Sequence, residues 1–278
     1  MSQYAFHPEH IKGMLETPWE QAAPAFCVFG NLYFVGNQDG ASWLLESLEG
    51  LILFDTNYPT ADALLVDSIW SLGFDPRNIV AIFHTHGHFD HMGATDLVKG
   101  LSHGKTYLGE ADAGMFLERP ELAMIEDGQY PHLKIFRPDV IVHDGDIFRF
   151  GDTCIRAVSC PGHTPGATSY FFNVTDGEQT LTAGLHGGAG LNTLCREYRE
   201  EQRVDWREDF VQSLAKVYEE PVDIFLGNHT GQNDALGKYA RMEREGKNPF
   251  IDPNAWKAFL DQVRSRYEQM LKEEGLQK

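Results

Sequence analysis

Between positions 26 and 54 short apolar runs alternate with turn residues. Phe26-Cys27-Val28-Phe29 and Leu32-Tyr33-Phe34-Val35 flank Gly30-Asn31, and Ala41 to Leu45 and Leu51 to Phe54 are separated by Glu49-Gly50. Runs of this length, broken at Gly or Asn, predict β-hairpins. Ala61 to Leu72 changes period, with Leu64, Leu65, Ile69 and Leu72 on one face, and predicts an amphipathic helix. Ile79 to Phe83 is a fully apolar strand, and a run of histidines begins where it ends. Open α/β sheets place their chemistry at such strand ends.

The theme then repeats. Ile147 to Phe150 and Thr153 to Val158 form a predicted hairpin around Gly151-Asp152, with Ser169 to Val174 and Thr180 to Thr182 as further strands. Asp205 to Tyr218 reads as a helix, and Val222 to Leu226 as another buried strand that runs to a histidine. Between the halves, 110–137 mixes a helical pattern with Pro120, Gly128 and Pro131, which predicts a helical insertion near the site. A last helix is expected from about 253, with Asp252 as cap and Pro253 at its first position. Its stripe of Trp256, Phe259, Leu260, Val263, Tyr267 and Met270 predicts core packing. With no linker or low-complexity tract, 1–278 reads as one domain.

Charge narrows the partners. The formal charge of −18, from 23 basic and 41 acidic residues, repels phosphate backbones and argues against nucleic acid. No apolar stretch is long enough to span a bilayer. Met1 to Trp19 carries His7, Glu9, His10, Lys12 and Glu16 and has no apolar core, so a secretory signal is not expected. The expectation is a soluble, cytoplasmic protein with a small-molecule substrate. Cys27, Cys154, Cys160 and Cys195 form no Cys-x-x-Cys pair, which argues against a zinc knuckle and, in that compartment, against disulfides.

The chemistry lies in Thr85-His86-Gly87-His88-Phe89-Asp90-His91. In an extended segment His86, His88 and Asp90 share a face while His91 points elsewhere, so the run can serve two adjacent ions. Zinc accepts imidazole and carboxylate ligands alike.

This run resembles the His-x-His-x-Asp-His signature of the metallo-β-lactamase superfamily. Three further stretches, in family order, carry the resemblance over nearly the whole chain. Leu51 to Thr56 resembles a strand ending in a supporting aspartate, Pro161 to Gly166 the loop with the third histidine, and Gly227 to Gly231 the last histidine. The resemblance implies a four-layer αββα sandwich of two mixed β-sheets flanked by helices. It implies two Zn2+ ions, the first held by His86, His88 and His163 and the second by Asp90, His91 and His229. That set is similar to the third, all-His/Asp subclass of these enzymes. The implied reaction is attack by a metal-bound hydroxide on a small amide, lactam, lactone or ester, with Asp90 as the catalytic proton carrier; Asp55 either orients a ligating histidine or simply caps its turn.

Four positions qualify this. Many relatives place an aspartate between the metals where Leu185 stands, and His186, one residue on, is expected to line the pocket or, in a shifted register, to ligate. His84 shares a strand face with His86 and could ligate in a shifted register, but only the register from His86 yields the Asp-His pair, so it reads as a partly buried strand-end residue. Gly187-Gly188-Ala189-Gly190 replaces the serines that hold a lactam carboxylate, which suggests an open or mobile pocket wall. Redox relatives with iron use Glu where His88 stands. The alternatives are a fold member with only promiscuous lactam hydrolysis, a non-catalytic metal-binding module, and an iron-binding variant.

Overall fold

A computed structural model describes residues 2–276. The first half forms a seven-stranded sheet in chain order: β1 (Phe26–Phe29), β2 (Leu32–Phe34), β3 (Trp43–Ser47), β4 (Gly50–Phe54), β5 (Ile79–Phe83), β6 (Lys105–Gly109) and β7 (Val140–Val142). The second half forms a five-stranded sheet from β8 (Ile147–Phe150), β9 (Thr153–Ser159), β10 (Thr168–Thr175), β11 (Thr180–Leu185) and β12 (Ile224–Leu226), ordered β12-β11-β10-β9-β8. Both begin antiparallel and turn parallel, at β4–β5 and β11–β12. Each parallel crossover leaves a strand end beside a histidine-bearing loop.

Strand alternation sets the layers. Phe54 and Phe83 face inward with Trp43, Tyr170, Phe172 and Leu226, so one core fills the space between the sheets. The Phe54 ring stacks on Phe172 at 4.7 Å between centroids. Leu44, Leu53 and Ile82 point outward, under Leu65 and Ile69 of the helix Asp62–Ser71 and Val98 of the helix Thr95–Ser102. On the far side Phe171 and Phe225 lie under the helices Arg207–Val217 and Ala255–Glu273, against Phe210, Leu214 and Trp256. The result is a four-layer αββα sandwich, with apolar strands wherever both faces are covered.

Three local expectations change. β3 begins at Trp43 rather than Ala41, because Ala41 N–H donates to the Asn228 carbonyl of the other half, at 3.2 Å. The final helix begins at Ala255: the Asp252 carboxylate accepts from Asn254 N–H at 2.9 Å, making a turn ahead of the helix with Pro253 inside it. The histidine run is not extended throughout, since Phe89–Met92 is a helical turn entered from an extended His88. Among the described residues, no helix is long and apolar enough to cross a membrane.

Candidate metal centre

The parallel strands β4, β5 and β6 bring their carboxyl ends together, and the first histidines leave from there. Asp55 N–H donates to the Phe83 carbonyl at 2.8 Å, and His84 N–H to that of Tyr107 at 3.0 Å. Asp55 then turns its carboxylate under the histidine run. Oδ1 accepts from Thr85 N–H at 2.7 Å, and Oδ2 accepts from the Thr85 hydroxyl at 2.7 Å and His91 Nδ1 at 2.9 Å. One buried carboxylate thus fixes both the strand end and the orientation of His91.

His229 arrives from the other sheet. Trp43 Nε1 donates to the Gly227 carbonyl at 2.8 Å, Thr230 N–H to the Asp39 carbonyl at 2.7 Å, and Gly40 pairs with His229 as an isolated bridge. These contacts fasten 37–41 to 228–230. They also place the Asp39 carboxylate 3.5 Å from His229 Nδ1, and the buried Tyr58 phenol donates to that carboxylate.

Two groups of ligand atoms converge. His86, His88 and His163 form one; His86, Asp90 and His91 form another. His229 joins the second through Asp90, whose Oδ2 is 3.5 Å from both His91 Nε2 and His229 Nε2. All six residues assigned from the sequence therefore meet, with His86 between the groups. The bend after His88 makes this possible, because the helical turn swings Asp90 and His91 toward His229.

The ring nitrogens test whether a cation fits. His86 Nδ1 donates to the Gly187 carbonyl at 2.9 Å, His163 Nδ1 to that of Gly190 at 3.0 Å, and His91 Nδ1 to Asp55. A neutral imidazole donating through Nδ1 carries its lone pair on Nε2. The Nε2 atoms of His86 and His91 are buried without any hydrogen-bond partner among the described residues. His88 Nδ1 lies 3.1 Å from His163 Nε2. Two nitrogens each about 2.0–2.1 Å from one tetrahedral ion stand roughly 3.3 Å apart, so this spacing suits neighbouring ligands. The donor set fits a bound cation at both groups.

The electrostatics agree. Burial and neighbouring imidazoles push His86 and His88 well below the usual histidine pKa, and burial takes His163 down to about 4. These rings are neutral, as ligands must be. Burial works against charge on His91 too, but Asp90 and Asp55 outweigh it and hold its pKa up at about 10. Burial likewise opposes the charge on Asp90, and His91 and His229 overcome it to hold its carboxyl well below the usual range. A cation taking the His91 lone pair replaces the proton that these carboxylates otherwise attract.

The remaining sequence candidates stand behind the cluster. His84 is fully buried with both nitrogens engaged, by the Tyr107 carbonyl at 3.1 Å and the Thr95 hydroxyl at 2.8 Å. His186 does not line the cavity that holds the cluster. Its Nδ1 accepts from Gly188 N–H at 3.1 Å, and its ring packs on Trp256 and Phe259, on the outer side of β11. Leu185 faces the inner core. The stretch after it does reach the cavity wall, through Ala189 and Gly190, but its glycines face a ring rather than open space: a Cβ at Gly188 would lie 2.7 Å from His163 Cδ2, and one at Gly190 2.6 Å from His163 Cε1. They let the backbone approach the ring that Gly190 anchors.

Sequence reasoning missed Asp112. This fully buried carboxylate sits in the helix Glu110–Glu118, inside the presumed insertion. It accepts from Gly87 N–H at 2.7 Å, the Thr164 hydroxyl at 2.8 Å and Gly166 N–H at 2.6 Å, tying the His86–His91 run to the His163 loop. At the start of a helix it looks like an ordinary dipole partner, so no local pattern marks it.

Comparison with known proteins decides the family. Residues 35–176 match the Metallo-beta-lactamase superfamily. The chain belongs to the metallo-beta-lactamase superfamily. The superfamily structures it resembles include FEZ-1 from Legionella gormanii, at 27% identity and a TM-score of 0.82 over 92% of this chain and 98% of that one. BJP-1, a subclass B3 metallo-beta-lactamase of Bradyrhizobium japonicum, gives 26% and 0.81 over 94% and 97%. An uncharacterized protein of Aquifex aeolicus is 34% identical over 88 residues, and a hydroxyacylglutathione hydrolase of Trichodesmium erythraeum 32% identical over 109. These matches take in 32% and 39% of this chain, and 41% and 34% of those relatives' own lengths.

Proposed function

We propose that this superfamily member is a dinuclear zinc hydrolase acting on a small amide, lactam, lactone or ester. The carrying observation is the convergence of six ligand-type side chains whose ring nitrogens are held by neighbours or left unpartnered. His86, His88 and His163 would hold the first ion; Asp90, His91 and His229 the second. Imidazole nitrogen with one carboxylate suits zinc. When bound, the ions supply Lewis acidity and lower the pKa of water.

The chain's own groups do the rest. Gly187, Gly190 and Asp55 fix three histidine tautomers and so orient these ligands. Asp90 Oδ2, at 3.5 Å from the nearest nitrogens of His91 and His229, is the one carboxylate among the six and the candidate to accept a proton from attacking water and return it to the leaving group. The cavity of about 350 Å3 suits a small substrate. Leu185 leaves no carboxylate between the groups, which favours amide or lactam cleavage over the thioester reaction named for the hydroxyacylglutathione hydrolases.

The test is metal analysis of protein purified without added metal, followed by a panel of amides, lactams, lactones, esters, thioesters and phosphodiesters. About two zinc per chain and cleavage in the first four classes is the expected result. Two iron per chain, or no cleavage by the zinc-loaded protein, would overturn the proposal.

A further inference from the structure

The turn Asn37-Gln38-Asp39-Gly40, between β2 and β3, carries a carboxylate that the six ligands do not account for. The buried Asn37 side chain shapes this turn. Its Oδ1 accepts from Asp39 N–H at 2.9 Å and Gly40 N–H at 2.7 Å, and its Nδ2 donates to Asn57 Oδ1 at 2.9 Å. With Thr230 N–H on the Asp39 carbonyl, the backbone of Asp39 is held from both sides. Asp39 lines the cavity, and among the described lining residues it and Asp90 are the two carboxylates.

These two acids meet opposite nitrogens of one ring. Asp90 Oδ2 faces His229 Nε2 and Asp39 Oδ2 faces His229 Nδ1, each at 3.5 Å. Asp39 belongs to neither group of converging ligand atoms, so it stands behind the ring and outside the cage. Its Oδ2 also accepts from the phenol of Tyr58, whose buried ring is set edge-on to Phe89 at 5.9 Å between centroids. Phe89 itself lies between the ligands His88 and Asp90 in the chain. The phenol therefore aims the carboxylate from a wall built into the ligand run.

The nitrogens turned away from the cage differ between the two groups. In the first, His86 and His163 donate through Nδ1 to the neutral carbonyls of Gly187 and Gly190. In the second, His91 and His229 face the carboxylates of Asp55 and Asp39. A carboxylate behind an imidazole fixes its tautomer and raises its basicity as a ligand, and a charged acceptor does so more strongly than a carbonyl.

We propose that Asp39, aimed by Tyr58, is the positioning residue for His229 and sets how tightly the second ion is held. This rests on the dinuclear hydrolase reading and deepens it: the ion shared by Asp90, His91 and His229 has carboxylate support behind both of its histidines, and the first ion has none.

The test is zinc titration of the chelator-stripped full chain against a chromophoric chelator, which resolves the two affinities. Asp39→Ala weakens the second ion by about 10–100-fold and leaves the first unchanged. Asp39→Asn keeps an oxygen facing Nδ1 without the charge and recovers part of the loss. Tyr58→Phe keeps the ring on Phe89 but removes the aim, and costs the second ion less than Asp39→Ala does. Because Asp39→Ala strands the buried phenol, a double variant with Tyr58→Phe, which has no donor to strand, is melted and titrated beside it. A native melting temperature in chelator together with the same selective loss of zinc supports the assignment. Equal weakening of both ions, or a second-ion affinity within about threefold of wild type in Asp39→Ala, overturns it. All of these arms read binding alone. Selective loss without turnover of the substrate panel defeats the hydrolase reading and leaves this assignment standing, whereas turnover with an unmoved second affinity does the reverse.

Discussion

Replacing Asp112 by alanine tests the link between the two histidine loops. It strands three donors, Gly87 N–H, Gly166 N–H and the Thr164 hydroxyl, in a site closed to solvent. At about 1–3 kcal/mol per stranded donor, and with Thr164 free to rotate, the loss is about 3–6 kcal/mol when the native acid is uncharged. Ionisation works the other way. Burial outweighs the three donors and holds the Asp112 pKa at about 6 against 3.8 in the open chain. A folded-state pKa raised on an acid makes stability fall as pH climbs from 3.8 through 6, by about 3 kcal/mol for this group. Asp112→Ala is therefore most destabilising below pH 3.8, and the gap narrows through pH 5 to pH 7.5. Thermal unfolding of the chelated protein reads this as a drop of about 3–9 °C at pH 5, where about half of the 3 kcal/mol has already gone, shrinking further at pH 7.5. A variant melting within about 2 °C of wild type at pH 5, or a gap that widens with pH, would refute the reasoning.

Three further outcomes are expected. His163→Ala should empty the first site and His229→Ala the second, as read by competitive zinc titration; the opposite losses would mean the ligands are wrongly paired. His186 is held neutral by burial, its pKa near 4, so it removes stability as pH falls from 6.5 through 4, by about 3 kcal/mol. His186→Leu should flatten that acid decline in the melting curve, and an unchanged decline would exclude the histidine as its source. Burial pushes the Cys160 thiol up to about 11, so a thiol reagent at pH 8 should label exposed Cys27 in the native protein and reach Cys160 only after unfolding.

Much of this molecule was legible from local pattern. Phe54 and Phe83 against Leu53 and Ile82 show why: alternate residues serve two different cores, so strands announce themselves with period two. The histidine run was legible because ligand-type residues cluster within it. Its bend after His88 was not, since Phe89 to Met92 gives no helical period over a single turn. Asp112 and the carbonyls of Gly187 and Gly190 act across 25 to 101 positions, and a contact made by folding leaves no mark on its neighbours in sequence. The glycines after Leu185 misled for a related reason. Small residues signal open space locally, whereas here the space is filled by a ring from another loop.

Beside the cavity mouth, Gln3 donates to the carboxylate of Glu273 at 3.0 Å, and Ser2 N–H donates to Glu197 at 2.8 Å. Residues from the beginning and end of the chain thus stand within reach of each other. A short peptide joining them, with the chain reopened at the exposed turn around Gly177, would give a circular permutant with the same sheets and the same cluster.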